Sequence, residues 1–190
     1  MITITKLPVL EIEENRRPTL TSLRSILHYD EISGKCELEY CVPHCKIYKK
    51  SRINRYTSYY AIQINVGKYT RLSWGLHVLI WFMQTGIWPK EEIDHRDLNG
   101  LNNAWINLRE ANSSQNNANR GKLITNTSGF KGVSWSKWAN KYEAYIRINN
   151  KRKHLGYFKD LIKAAQAYDS AALQYFGEFA RLNFPREDYA

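Results

Sequence analysis

The stretch EEIDHRDLNGLNNAWINLREANSSQNNANR, from Glu91 to Arg120, decides how this chain is read. It sets a carboxylate beside an imidazole, Asp94-His95, and follows them with carboxamides at Asn102, Asn103, Asn107 and Asn116. An imidazole can take a proton from water near neutral pH, and a carboxylate offers hard oxygen to an ion of the magnesium class. A carboxamide oxygen farther along can be a second ligand that leaves positions open for phosphate and water. An Asp-His pair alone says little, because many such pairs are exposed loop residues.

Outside this stretch, composition narrows the function classes. In 190 residues, 43% are hydrophobic, enough to build a core. Lys and Arg number 28 against 18 Asp and Glu, a formal charge of +10. That balance favours a polyanionic partner, nucleic acid first and an acidic membrane surface second. No window approaches the ~18 uninterrupted apolar residues of a membrane span. The opening MITITKLPVLEIEENRRP lacks the basic-then-apolar pattern of a signal. Three cysteines make no disulfide framework. The expectation is therefore a cytoplasmic protein with no membrane association. Aromatics make up 13% of the chain, many interleaved with Lys and Arg. Such surfaces track and stack on nucleic acid, although the same rings can equally fill two small cores.

The charge divides unevenly. Residues 1–120 carry 16 basic and 12 acidic side chains, and residues 121–190 carry 12 and 6. RGKLITNTSG, from Arg120 to Gly129, is polar and without period, and 121–128 reads as a linker. Ahead of it, Leu20, Leu23, Ile26 and Leu27 predict a short helix opened by Thr19 or Thr21. Ser33 to Lys35 reads as a turn. YYAIQINV and YTRLSW predict two strands joined at Gly67, and the apolar run after them predicts a helix stopped by Gly86. Beyond the linker, FKGVSWS, KYEAYIRI and KRKHLGYF predict three short strands, with Asn149-Asn150 as a tight turn. Leu161, Ala164, Ala165, Tyr168, Ala172, Tyr175 and Phe176 then recur at helical spacing up to Gly177. The expected class is α+β, with one helix across a three-stranded antiparallel sheet in the C-terminal part.

With Asp94-His95, Asn99-Gly100, Asn102-Asn103, Asn107-Leu108 and Asn116 in this order, the first stretch resembles the HNH nuclease family. The likeness is to the homing-endonuclease branch in which the last histidine is replaced by asparagine. The resemblance implies a ββα-metal unit: a strand ending at Asp94-His95, a wide loop, a second strand and a helix. It implies a nuclease region over 1–120 with its core motif at 91–120. By position, His95 would be the general base and Asn107 would buttress the loop and orient it. Asp94 and Asn116 would hold one divalent metal, magnesium or manganese, with Asn117 as the adjacent rival to Asn116. His77, on the preceding helix, reads as structural.

Ser128 to Pro185 resembles the APETALA2/ethylene-response-factor DNA-binding domain, here taken as 129–190. Gly132, Val133, Leu155, Gly156, Phe158, Ala164, Ala165, Tyr168, Asp169, Gly177, Asn183, Phe184 and Pro185 match, mostly as fold anchors. The family presents sheet side chains to the major groove. By position that face would include Lys131, Ser134, Ser136, Trp138, Tyr145, Arg147, Arg152 and His154. Several are Ser, Tyr or His where the plant factors carry Arg, Glu or Trp, so their GC-rich target does not transfer.

Two features stand apart. Cys36, Cys41, His44 and Cys45 could in principle bind zinc, but the spacing matches no common ribbon, and buried or idle thiols are the expected reading. KIYKKSRINR, Lys46 to Arg55, is either a solvated loop or a phosphate-tracking patch. The expected activity is metal-dependent, sequence-biased cutting of double-stranded DNA, by a monomer or a homodimer, in a bacterial or phage-infected cell. The rival from another class is a non-catalytic DNA-binding transcriptional regulator; RNA binding has only charge and aromatics behind it.

Overall fold

The computed structural model describes residues 11–14, 16–38, 45–51, 58–66 and 70–189. Gly67, Cys41, His44, Arg52 and Arg55 lie outside the described residues, so the turn, half of the zinc set and part of the basic patch are not seen. The class is α+β, as expected, with four small sheets among the described residues. The chain divides into two compact units, Met1–Glu110 and Ala111–Ala190. That division falls ahead of the stretch read as a linker at 121–128.

In the first unit, helix α1 (Leu20–Ile26) begins at Thr19, whose side chain accepts from the Ser22 backbone N–H. It runs directly into strand β1 (Leu27–Tyr29), which pairs antiparallel with β2 (Cys36–Leu38). A three-stranded sheet follows, ordered β3 (Cys45–Ser51), β4 (Ser58–Val66), β5 (Thr70–Gly75). Strands β1, β2 and β3 had no clear sequence signal. β3 begins at Cys45, just ahead of the basic run, and its Cys45 and Ile47 pack on the core. Helix α2 (Leu76–Thr85) buries Leu76, Leu79, Ile80 and Met83 at three- and four-residue spacing, and Gly86 ends it in the left-handed region. These side chains form one core with Leu23, Ile26, Leu27, Ile62, Ile93 and Leu108. Cys36 and Cys45 pack against that core, and burial pushes the Cys36 thiol up to about 12. The thiols thus behave as small apolar groups. Strand β6 (Glu92–His95) and strand β7 (Leu108–Ala111) pair in a two-stranded sheet.

The second unit opens with helix α3 (Ser113–Asn119). Asn112 accepts from the Ser114 and Gln115 backbone N–H groups while Gln115 returns a bond to the Asn112 N–H. Strands β8 (Val133–Ser136), β9 (Lys141–Ile148) and β10 (Lys151–Phe158) make an antiparallel sheet with β9 central. Asn149 and Asn150 turn the chain with φ of 48° and 64°. Helix α4 (Leu161–Phe176) starts at Asp160, whose carboxylate caps Ile162 and Lys163. Its Ala164, Ala165, Tyr168 and Ala172 are buried, with Val133, Ala144 and Ile146 of the sheet in the same two clusters. Tyr175, placed on that face by spacing, is 39% exposed, and Lys153 lies 4.9 Å from its ring.

Asp169 is wholly buried on α4 and gathers the C-terminal segment. It accepts from the Asn183 backbone and carboxamide, the Phe184 N–H and the Tyr189 hydroxyl, at 2.9 to 3.0 Å. Asn183 in turn bonds the Lys131 N–H and carbonyl. Asp169→Ala should orphan several donors at once. Each costs about 1–3 kcal/mol when left unmet, so a loss of at least about 3 kcal/mol is expected in urea unfolding. A loss below about 1 kcal/mol would remove Asp169 from this role.

Candidate active site

Asp94 and His95 end strand β6, and both are buried, at 5% and 9% exposure. The strand's alternation does not predict this, since three successive residues, Ile93, Asp94 and His95, are covered. Each polar member has its partner. Arg109 on β7 donates from Nε and from a terminal nitrogen to the same Asp94 oxygen, both at 3.0 Å. The pair is buried on both sides, with side-chain exposures of 7% and 6%. Sequence reasoning missed Arg109. Its adjacency to Asn107-Leu108, on the strand expected to pair with β6, was the available signal.

His95 Nε2 lies 3.1 Å from Asn103 Oδ1. In the tautomer that pairs with this amide oxygen, Nε2 donates and the lone pair of the neutral ring sits on Nδ1. Burial lowers the imidazole pKa from its ordinary value; the Asn103 bond and the nearby Asp97 and Asp94 carboxylates oppose the shift without cancelling it. The ring is therefore neutral at neutral pH, ready to accept a proton. His77 stands edge-on to it at 5.1 Å and to Tyr59 at 5.7 Å, packing between two rings as a structural residue would.

Between the two strands the chain makes a wide loop closed by its own side chains. Asn107 accepts from the Asp97 N–H and donates to the Asp97 carboxylate and the Asn102 carbonyl. Asp97 also receives the Asn99 N–H and the Asn102 carboxamide. Burial alone would raise the Asp97 carboxyl, but the bonds from Asn102, Asn99 and Asn107 outweigh it and hold the pKa below the ordinary value. Gly100 is required here by space: a Cβ would stand 2.4 Å from the Ser58 carbonyl oxygen.

A turn from the N-terminal part supports the far side of the loop. The Tyr29 hydroxyl donates to the Asn103 carbonyl at 2.8 Å, and Trp105 donates to the Glu31 carbonyl. Gly34, with φ of 70°, lies so close that a Cβ would meet the Ala104 nitrogen at 2.2 Å. Asn103 is thereby buried to 1% exposure with its oxygen on His95. Asn102 and Asn103 belong to the motif, but nothing in the spacing told which of them meets the histidine.

Asn116 belongs to the second unit, half-buried on α3. Its neighbour Asn117 is exposed, and its oxygen accepts from Arg120 at 3.1 Å. Carboxylate and carboxamide oxygens are hard donors of the kind a divalent ion takes. Among the described residues no group of three or more His, Cys, Asp and Glu gathers to hold a metal ion.

The outer face of the second unit's sheet carries Ser134, Ser136, Tyr145, Arg147, Arg152 and His154, opposite the face that buries Ala144 and Ile146. Trp138, in the β8–β9 turn, is 88% exposed. Lys131 departs from expectation. Its ammonium bonds the Ala118 and Arg120 carbonyls, and burial, with Arg181 nearby, brings its pKa down to about 8. The end of α3 leaves carbonyls without helical partners, and Lys131 satisfies them instead of facing outward.

Residues 75–118 match the HNH endonuclease family. Protein 3.8 of Escherichia phage T7 is 35% identical over 106 residues, covering 55% of this chain and 87% of that protein. The chain belongs to the same family as this phage protein. An AP2-like ethylene-responsive transcription factor of Oryza sativa subsp. japonica is 40% identical over 70 residues, 33% of this chain and 11% of the plant protein. One from Arabidopsis thaliana is 36% identical over 74 residues, 34% and 15% respectively. The chain thus spans only a small part of these plant relatives. No helix among the described residues is long and apolar enough to cross a membrane.

Two outcomes follow from this geometry. Arg109→Leu should destabilise the first unit by about 3–5 kcal/mol, because Asp94 keeps a buried charge without its partner. The double change Asp94→Leu with Arg109→Leu should recover most of that loss in thermal unfolding. Lys131→Ala should lower the unfolding midpoint by several degrees. An unchanged midpoint would show that its bonds to the Ala118 and Arg120 carbonyls hold nothing in place.

Proposed function

We propose that this chain is a metal-dependent, sequence-biased DNA endonuclease of the homing type, acting in the cytoplasm of a bacterial or phage-infected cell. The observation that carries the reading is the buried His95, kept neutral and held through Nε2, directly beside an Asp94 fixed by Arg109. A DNA-binding regulator has no physical need for a neutral imidazole set next to a desolvated carboxylate. The HNH match over residues 75–118 supports the same reading.

In this mechanism His95 takes a proton from water at Nδ1 as the water oxygen attacks phosphorus. The bond from phosphorus to the 3′ oxygen breaks, and that oxygen is protonated from solvent. A 5′ phosphate and a 3′ hydroxyl result. Asn103 holds the imidazole in the tautomer that leaves Nδ1 basic, and Asn107 keeps the loop closed through Asp97. By resemblance, Asp94 and Asn116 would hold the divalent ion. That ion, magnesium or manganese, would neutralise charge on the phosphate and the departing oxygen. The second unit would seat on duplex DNA through Ser134, Ser136, Trp138, Tyr145, Arg147, Arg152 and His154. Its relatives among the AP2-like factors support this placement. One such centre cuts one strand at a time, so a double-strand break would need a dimer or a second binding event.

Supercoiled plasmid incubated with the full chain should be nicked with magnesium or manganese and left intact in EDTA. His95→Ala should slow cutting by on the order of 10²–10⁴. Asp94→Ala and Asn116→Ala should abolish cutting while DNA affinity stays within a few fold, since phosphate and groove contacts dominate binding. A folded protein that never cuts under any divalent metal would instead support the regulator reading.

A further inference from the structure

The outer face of the β8–β9–β10 sheet holds one acidic side chain among its arginines. Glu143 sits on β9 between Ser134 of β8 and Tyr157 of β10 in the cross-strand register. Its two oxygens are divided between two partners on β10. One meets an Arg152 terminal nitrogen at 2.9 Å, the other His154 Nδ1 at 3.1 Å. The Arg152 guanidinium also lies over the Tyr145 ring, 3.8 Å from its centroid. Arg152 is thus held from the side by a carboxylate and from below by an aromatic face. Directly across the ladder stands Arg147, exposed and with no ion pair among the described residues.

These two arginines face each other as like charges, an arrangement that costs stability on a sheet. An acid on a surface meant for phosphate also costs affinity, because it repels the backbone it approaches. Both costs make sense if the face reads bases. An arginine reads guanine by presenting two donors in a fixed plane to O6 and N7, whereas a mobile arginine is satisfied by any phosphate. Side-chain entropy otherwise favours the mobile state.

We propose that Glu143 is a specificity-determining residue of the second unit, a positioning residue that fixes the Arg152 guanidinium for a bidentate contact to guanine while Arg147 grips backbone. This rests on reading the sheet as the DNA-facing surface. Glu143 touches no base in this arrangement; it acts through Arg152. The stacked Tyr145 ring supplies the plane and Glu143 the rotation within it.

The test is selection of bound duplexes from a randomised library by the full chain in EDTA, with affinity for a scrambled duplex measured in parallel. Glu143→Ala should flatten the preference for guanine at one position by about fivefold or more. Affinity for the scrambled duplex should hold or rise, because a negative charge has left the surface. Glu143→Gln keeps the size and one acceptor and should give an intermediate profile, and it serves as the readout if the alanine variant fails to fold. An affinity loss spread evenly over all sequences would show a merely structural role and overturn the proposal. So would parental profiles in both Glu143 variants while Arg152→Ala flattens the preference, a result that leaves the sheet as the DNA surface. If Arg152→Ala changes neither profile nor affinity, both the proposal and the reading of the sheet fail.

Discussion

A carboxylate taken out of water needs donors to replace the lost hydration, and each unit of this protein is arranged around one that has them. In the second unit Asp169, with no exposed surface, collects the backbone of Asn183 and Phe184 and the Tyr189 hydroxyl. It thereby ties the end of the chain to α4, and through Asn183 to the segment leading into β8. In the first unit Asp94 takes two bonds from Arg109, which fixes the carboxylate and joins the ends of β6 and β7. Removing either acid would leave several donors in a dry interior with nothing to meet them.

The loop between β6 and β7 extends the same economy to carboxamides gathered on a further carboxylate, Asp97. Asn107, Asp97, Asn99 and Asn102 bond one another and close the stretch between the two strands. The loop also carries Asn103, whose Oδ1 meets His95 Nε2. The backbone around that carboxamide is in turn clamped by Tyr29 and Gly34.

The sheet of the second unit uses charge differently. Its inner face is apolar and packs on α4, while its outer face keeps arginines exposed, one of them bound to Glu143 and Tyr145. The contrast between a held and a loose arginine on neighbouring strands is a difference in pre-organisation, not in charge.

Much of this was legible in the sequence. Helical spacing marked α1 and α4, an apolar run marked α2, Thr19 and Gly86 marked ends, and Asn149-Asn150 marked the turn between β9 and β10. The ordered Asp, His and Asn residues identified the stretch that carries the site. These are local signals, set by backbone propensity and by which face of one element is apolar. Strands β1 to β3 escaped notice because they are short or overlap a run of charges. What only the tertiary structure decided are pairings between segments far apart in the chain. Tyr29 reaches Asn103 across 74 positions, Gly34 packs on Ala104, and the Lys131 ammonium turns in to the end of α3. Such partners are chosen by which surfaces meet once apolar faces are buried, and a buried polar atom takes whichever group that burial brings within reach.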